Sequence, residues 1–169
     1  LHNAIDKRSD LNIIIENDLP SSVPISFESI FKIKKLLMLI SHSVPFKPNI
    51  TELSNKINTS RDHLIKFLNL LQNARLISQL NIESSPSGYL TKPEKIYLNN
   101  TTLMYALHDG RPALGSLRET FFMQNVSQSH VLTYTPKGDF FIDGKYTIEI
   151  GGKDKSFSQI KGIKNSFIA

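Results

Sequence analysis

Residues 49–73 read NITELSNKINTSRDHLIKFLNLLQN, and this stretch decides the fold of the first half of the chain. Asn49 followed three residues later by Glu52 is a capping-box pattern, so a helix is predicted to open there with Ile50, Leu53 and Ile57 turned inward. The turn Asn58-Thr59-Ser60 follows, and Thr59 with Asp62 repeats the capping pattern. A longer helix is then predicted over about 60–73, presenting Leu64, Phe67, Leu68 and Leu71 on one face at helical spacing. Two amphipathic helices joined by so short a turn are the specific feature of this sequence.

Upstream, residues 26–41 carry Ile30, Ile33, Leu37 and Ile40 at helical spacing, with Lys32, Lys34 and Lys35 largely off that stripe. Ser43-Val44-Pro45-Phe46-Lys47-Pro48 ends that helix. Farther upstream, Leu11, Ile14 and Ile15 mark a short helix that Leu19-Pro20 is expected to break, so residues 1–24 read as a helical remnant and linker. Downstream, Ala74 to Leu80 reads as a strand, Ser84 to Gly88 as a turn, and Tyr89-Leu90 as a second short strand. Three helices and a hairpin in that order are the parts of a winged helix-turn-helix, expected to span residues 25–91.

The texture changes after Lys92. A strand is predicted at Lys95 to Leu98, a helix capped by Asn100 over about 101–108, and another over about 113–125 with Leu114, Leu117, Phe121 and Phe122 as its apolar residues. A strand at Val131 to Thr135 and a Pro136-Lys137-Gly138 turn come next. Strands at 139–142 and 145–150 are joined by Asp143-Gly144, a strong two-residue hairpin signal. A helix over about 159–164 and a strand from Asn165 close the chain. Residues 92–169 thus read as a small α/β domain, and the whole as α+β.

Composition bounds the function. The 169 residues contain no cysteine, which excludes disulfides, thiolate metal sites and a cysteine nucleophile, and fits a reducing cytoplasm. A net charge of +5 and a pI near 9.4 favour an anionic partner, double-stranded DNA first among them. No apolar run approaches a membrane span, and no signal peptide is present, so a cytoplasmic protein with no membrane partner is expected. Without an initiator Met the chain reads as a fragment or a processed product. The five histidines are scattered, and the phenylalanines, Phe121-Phe122 included, are expected in the core rather than on a stacking platform.

Several stretches resemble the C-terminal region of a family of prokaryotic AAA-type ATPases. They are Phe31 to Leu37, Pro45 to Ile50, Ser60-Arg61 leading to Leu76-Ile77, Lys95 to Asn100, Gly115 with Glu119, Gly138-Asp139-Phe140, and Ile148 to Lys153. The resemblance runs from about residue 25 to 165. It implies a lid remnant, a winged helix and a C-terminal domain similar to PD-(D/E)XK nucleases, with the ATPase domain upstream as a partner. No GxxxxGK[ST] phosphate loop occurs here, so ATP is expected only in that upstream domain.

By position, the resemblance places the nuclease-like acids at Glu119, Asp139 and Glu149, with Asp139 and Glu149 as ligands of Mg2+ or Mn2+ if the site is functional. The usual lysine position, two residues after the second-strand acid, is Gly151, which leaves Lys153 as the nearest candidate. A degenerate site is therefore expected, with a metal-dependent DNA endonuclease as one alternative and a winged-helix transcription regulator as another. In a winged helix the third helix enters the major groove by its N-terminal end, which makes Ser60, Arg61, His63 and Lys66 the DNA-binding candidates, joined by Lys47 and Lys56. A packing role against the ATPase domain is the competing use of that surface.

Overall fold

The protein is described from a computed structural model covering residues 11–82, 91–108, 110–152 and 155–169. The expected Ser84–Gly88 turn, the strand at Tyr89-Leu90 and the candidate Lys153 lie outside the described residues. The chain is α+β, with two sheets and a helical layer against the first.

Helix α1 (residues 11–22) passes through a π-helical stretch, Ile14–Asp18, before closing as α-helix at Leu19–Ser22. Pro20 was expected to break this helix, but the chain continues through it. Leu19 N–H donates to Ile14 O, five residues back, and Pro20 then sits in the first turn of the α-helical part, where its missing N–H costs nothing. Leu11, Ile15 and Leu19 bury against the neighbouring helix, and Lys34 of that helix pairs with Glu16.

Helix α2 (Phe27–Ser41) is capped by Ser26, whose hydroxyl accepts from Ser29 N. It buries Ile33, Leu36, Leu37 and Ile40. A cis Val44–Pro45 bond leads to Phe46, which forms an isolated antiparallel bridge with Ile96. Helix α3 (Ile50–Lys56) is capped by Asn49, which accepts from Glu52 N as the sequence predicts. The cap of α4 (Arg61–Asn73) is Ser60, which accepts from His63 N, and not the Thr59 that the sequence pattern suggested. Ser60 has the extended backbone a cap needs, one residue closer to the helix. All four predicted inward residues of α4 are buried.

Arg75 adopts φ 56°, so the expected strand from Ala74 shortens to β1 (Ile77–Leu80). Its partner is β2 (Lys95–Leu98), antiparallel, with Ile77 opposite Leu98 and Leu80 opposite Lys95. The two faces of this ribbon serve different cores. Ile77, Ile96 and Leu98 join the helical core. Leu80 and Tyr97 pack with Met123, Phe140 and Ile148 of the second half.

Helix α5 (Thr101–Leu107) is capped by Asn100 as predicted. Helix α6 (Leu114–Val126) occupies its predicted span, but its buried residues are Thr120 and Met123. Leu114 and Phe121, seven residues apart on one stripe, face solvent at 61% exposure each. The expectation of core phenylalanines fails here and at Phe27, Phe31, Phe157 and Phe167, all exposed. The second sheet runs β3-β4-β5-β6, with β3 (Leu132–Thr133), β4 (Phe140–Ile142) and β5 (Tyr146–Glu149) antiparallel in turn. Strand β6 (Ser166–Ile168) is parallel to β5. The Asp143-Gly144 turn is as predicted, with φ 52° and 63°. The helix expected over 159–164 is instead a 3-10 turn, Phe157–Gln159, followed by turns in which Gly162 takes φ 78° and interrupts any helix.

Among the described residues, no helix is long and apolar enough to cross a membrane.

Candidate functional site

Strand β2 brings Lys95 beside the start of β4 in the second sheet, and the site is built around its ammonium group. Lys95 Nζ lies 2.8 Å from Glu119 Oε2 on α6 and 3.2 Å from Asp139 Oδ1 at the start of β4. Two residues along β2, on the same face, the Tyr97 hydroxyl donates to Glu119 Oε2 at 3.1 Å. Tyr97 is fully buried, its ring stacked on Phe140 at 5.6 Å. Asp139 is held from its other side, because Ile150 N–H donates to Oδ2 at 2.8 Å. Asp139 therefore ties the end of β5 to the cation on β2.

The third acid is Glu149, near the end of β5 and only 3% exposed. Its Oε1 pairs with Lys155 Nζ at 2.5 Å. Lys155 packs over Gly151, where a Cβ would stand 2.4 Å from Lys155 Cβ. Gly152 gives similar room to Arg118, whose Nη1 lies 2.5 Å from where a Cβ would be. Glu119 and Asp139 thus meet on Lys95, while Glu149 is engaged by Lys155. Lys153 lies outside the described residues, and the lysine on Glu149 is Lys155. Lys95, Tyr97, Lys155 and Arg118 carried no sequence assignment. The one available signal was the Lys95-x-Tyr97 alternation, which puts both on one strand face.

Electrostatics follow from burial and pairing. Burial pushes the Glu119 carboxyl above its ordinary 4.5, opposed by the hydrogen bond and charge of Lys95. Burial, and then the charges of Glu119 and Asp139, hold Tyr97 firmly protonated. The hydrogen bond to Glu149 raises Lys155 above 10.5, with Asp139 and Glu119 adding to it. The oxygen donors are of the hard type that a divalent cation takes. As arranged, however, they do not fit one. Lys95 stands between two of the acids and Lys155 on the third, and among the described residues no group of three or more acids or histidines is placed to hold a metal ion.

The residues expected to meet DNA lie on another part of the molecule. Arg61, His63 and Lys66 are exposed along α4. His63 stacks on Phe67 at 6.3 Å. The Ser60 hydroxyl is engaged as the cap of α4. Lys56 pairs with Glu52 at 2.6 Å on the surface of α3. Lys47 is exposed but sits over the Tyr134 ring at 5.0 Å, and a hydrogen bond to the Tyr134 side chain raises its pKa. A cleft of about 490 Å³ separates His63, Lys66 and Asn73 from Val23, Pro24 and Ser26.

A family model described as a domain of unknown function, DUF8612, matches residues 2–114, more than half of the chain. The chain belongs to the DUF8612 family. Comparison with curated proteins and with solved structures gave no match. The DUF8612 match contains Lys95 and Tyr97 and ends where α6 begins, so Glu119, Asp139 and Glu149 all lie beyond it.

Proposed function

We propose that this DUF8612 protein is a duplex-DNA-binding module, a winged helix-turn-helix carried on a nuclease-like α/β body, acting as the C-terminal part of an AAA-type ATPase. The observation that carries the reading is the exposed N-terminal half of α4 with Arg61, His63 and Lys66, delivered from α3 through residues 57–60. The order of elements supports it: α2, the Phe46 bridge, α3, α4, then β1 and β2, with the bridge adding a third extended segment beside β2. Strands β1 and β2 pair antiparallel, as the two strands of a wing do. The net charge of +5 suits a phosphate partner. The order of α6, β3, β4, β5 and a parallel β6 supports the nuclease-like reading of the second half.

The test is fluorescence anisotropy of a labelled random duplex across a salt series in EDTA. Binding should weaken log-linearly with salt, and Arg61→Ala with Lys66→Ala should lower the slope by about 1 for each phosphate contact removed. Absence of binding at low salt, or a double variant with wild-type affinity and slope, defeats the DNA reading and leaves α4 as a packing surface for the ATPase domain. The competing reading is a metal-dependent endonuclease, which requires a divalent ion to displace Lys95 from Glu119 and Asp139. Manganese-dependent cleavage that disappears in Glu149→Ala would establish it.

A further inference from the structure

We propose that Lys95 is the resident cation of the acid cluster: its ammonium group holds the position between Glu119 and Asp139 that a divalent ion would need, so metal can enter only by displacing it. This goes beyond the DNA-binding proposal and does not depend on it. The contacts are those of a filled site. Lys95 Nζ meets carboxylate oxygens of both acids, at 2.8 and 3.2 Å. Glu119 Oε2 already accepts a second hydrogen bond, from Tyr97, and Asp139 Oδ2 is held by a backbone N–H. The side chains of Lys95, Glu119 and Asp139 are 15–19% exposed, so water contributes little to balancing their charges.

Lys95 is also held at its base. Ile96, Tyr97 and Leu98, which follow it on β2, are each 0% exposed, and Leu80 opposite it is 3% exposed. The strand cannot slide without opening both cores, so only the flexible stem of the lysine could withdraw. Glu149, the remaining acid, has its own cation in Lys155. A divalent ion placed among these groups would face two ammonium charges, and its binding would have to exceed both the attraction it breaks and the repulsion it meets.

The experiment is Mn2+ binding to the purified chain, read by electron paramagnetic resonance and by calorimetry, for wild type, Glu119→Gln, Lys95→Gln and the Lys95→Gln/Glu119→Gln double variant. In the wild-type background, Glu119→Gln should leave the Mn2+ isotherm unchanged. Lys95→Gln should gain a site at least about tenfold tighter than anything in wild type, the scale on which groups around a metal alter its affinity. The double variant should lose that gain. The proposal is overturned by wild-type Mn2+ binding that Glu119→Gln weakens, by a Lys95→Gln chain with no gain, or by a gain that survives in the double variant. Should Lys95→Gln fail to fold, Lys95→Met, which keeps most of the stem, takes its place in the same comparison with and without Glu119→Gln. Duplex binding in EDTA is read separately, so either proposal can fail while the other stands.

Discussion

Replacing Lys95 by Met removes the charge and keeps most of the stem, which isolates the electrostatic part of the cluster. The lysine lies 2.8 Å from one carboxylate and 3.2 Å from the other. At an effective dielectric constant near 20, these distances correspond to gross attractions of about 6 and about 5 kcal/mol. Much of that is offset by the cost of taking three charges out of water, several kcal/mol for each ion that is well buried. What the variant exposes is the other side of this balance, two carboxylates left close together with no cation between them. Breaking a buried pair in this way costs about 3–5 kcal/mol. With side chains that keep 15–19% exposure, about 2–4 kcal/mol is expected at pH 7.5. The deficit should depend on pH with a definite sign. Glu119 already has its folded pKa raised by burial, and losing Lys95 removes the main influence that lowers it. The variant therefore binds its proton more tightly folded than unfolded, so stability is present at low pH and is lost as pH rises. Urea unfolding followed by circular dichroism at pH 4.5 and 7.5 reads both quantities. Lys56→Met is the control, because the Lys56–Glu52 pair has a similar distance of 2.6 Å but side chains 51% and 55% exposed; its loss should stay within about 0.5 kcal/mol. A Lys95→Met chain no less stable than Lys56→Met at pH 7.5, or one with the same deficit at both pH values, refutes the reasoning.

Tyr97→Phe keeps the ring against Phe140 and deletes the hydroxyl donated to Glu119, so it should cost about 1.5–3 kcal/mol in urea unfolding, and a loss below about 0.5 kcal/mol would show that bond to be idle. Gly151→Ala places a Cβ 2.4 Å from Lys155 Cβ, and the forced shift should lower stability by about 1–3 kcal/mol; an unchanged melting curve would mean that the packing over Gly151 is not tight. Glu119→Gln removes a carboxyl whose folded pKa lies above 4.5, and with it a contribution that favours the fold at low pH and fades as pH rises through that folded value. Thermal melts of this variant from pH 4.5 to 7 should therefore fall less steeply than those of wild type, and a parallel profile would exclude Glu119 as the group responsible.

The legible parts of this fold are those fixed by local chemistry. Asn49 and Asn100 cap because an extended Asx residue before an apolar run satisfies the first helical amides, and those rules need no tertiary context. Asp143-Gly144 turns because both residues can take positive φ. The misreadings occur where a distant neighbour decides. Pro20 is a breaker in ordinary α-helix, and nothing in its sequence announces the π-helical turn that accommodates it. Phe121 belongs to an apolar run, yet the face of α6 against the second sheet is chosen by the face that Thr120 and Met123 share, and Phe121 falls outside it. In the candidate site, Glu119, Asp139 and Glu149 are each carried by their own element, α6, the start of β4 and β5. The lysines that meet them are not legible in the sequence. Lys155 meets Glu149 across Gly151, where a Cβ would collide with it, and Lys95 comes from a strand 24 residues before Glu119 in sequence.

That strand also explains why the two halves are best understood together. A hairpin at the edge of a helical unit ordinarily turns one face to its helices and the other to water. Here β2 has no wet face over its last three residues: Ile96 and Leu98 enter the helical core while Tyr97 enters the other, all at 0% exposure. The alternation that sends Ile96 one way sends Lys95 and Tyr97 the other, so the same register that completes the first core delivers a cation and a hydroxyl to the acids of the second. A one-residue slip of β2 would bury Lys95 among the helices and leave Glu119 and Asp139 unpaired, two faults at once. The ion cluster therefore helps to specify how the ribbon pairs, and the DUF8612 match, which ends at Leu114, includes the cation of that cluster but none of its acids. The second half is thus the partner that covers the Leu80 and Tyr97 face of this ribbon. A DUF8612 unit cut at residue 114 should then present Lys95, Tyr97 and Leu80 to solvent and associate or aggregate where the full chain does not, which analytical ultracentrifugation of the two lengths would show.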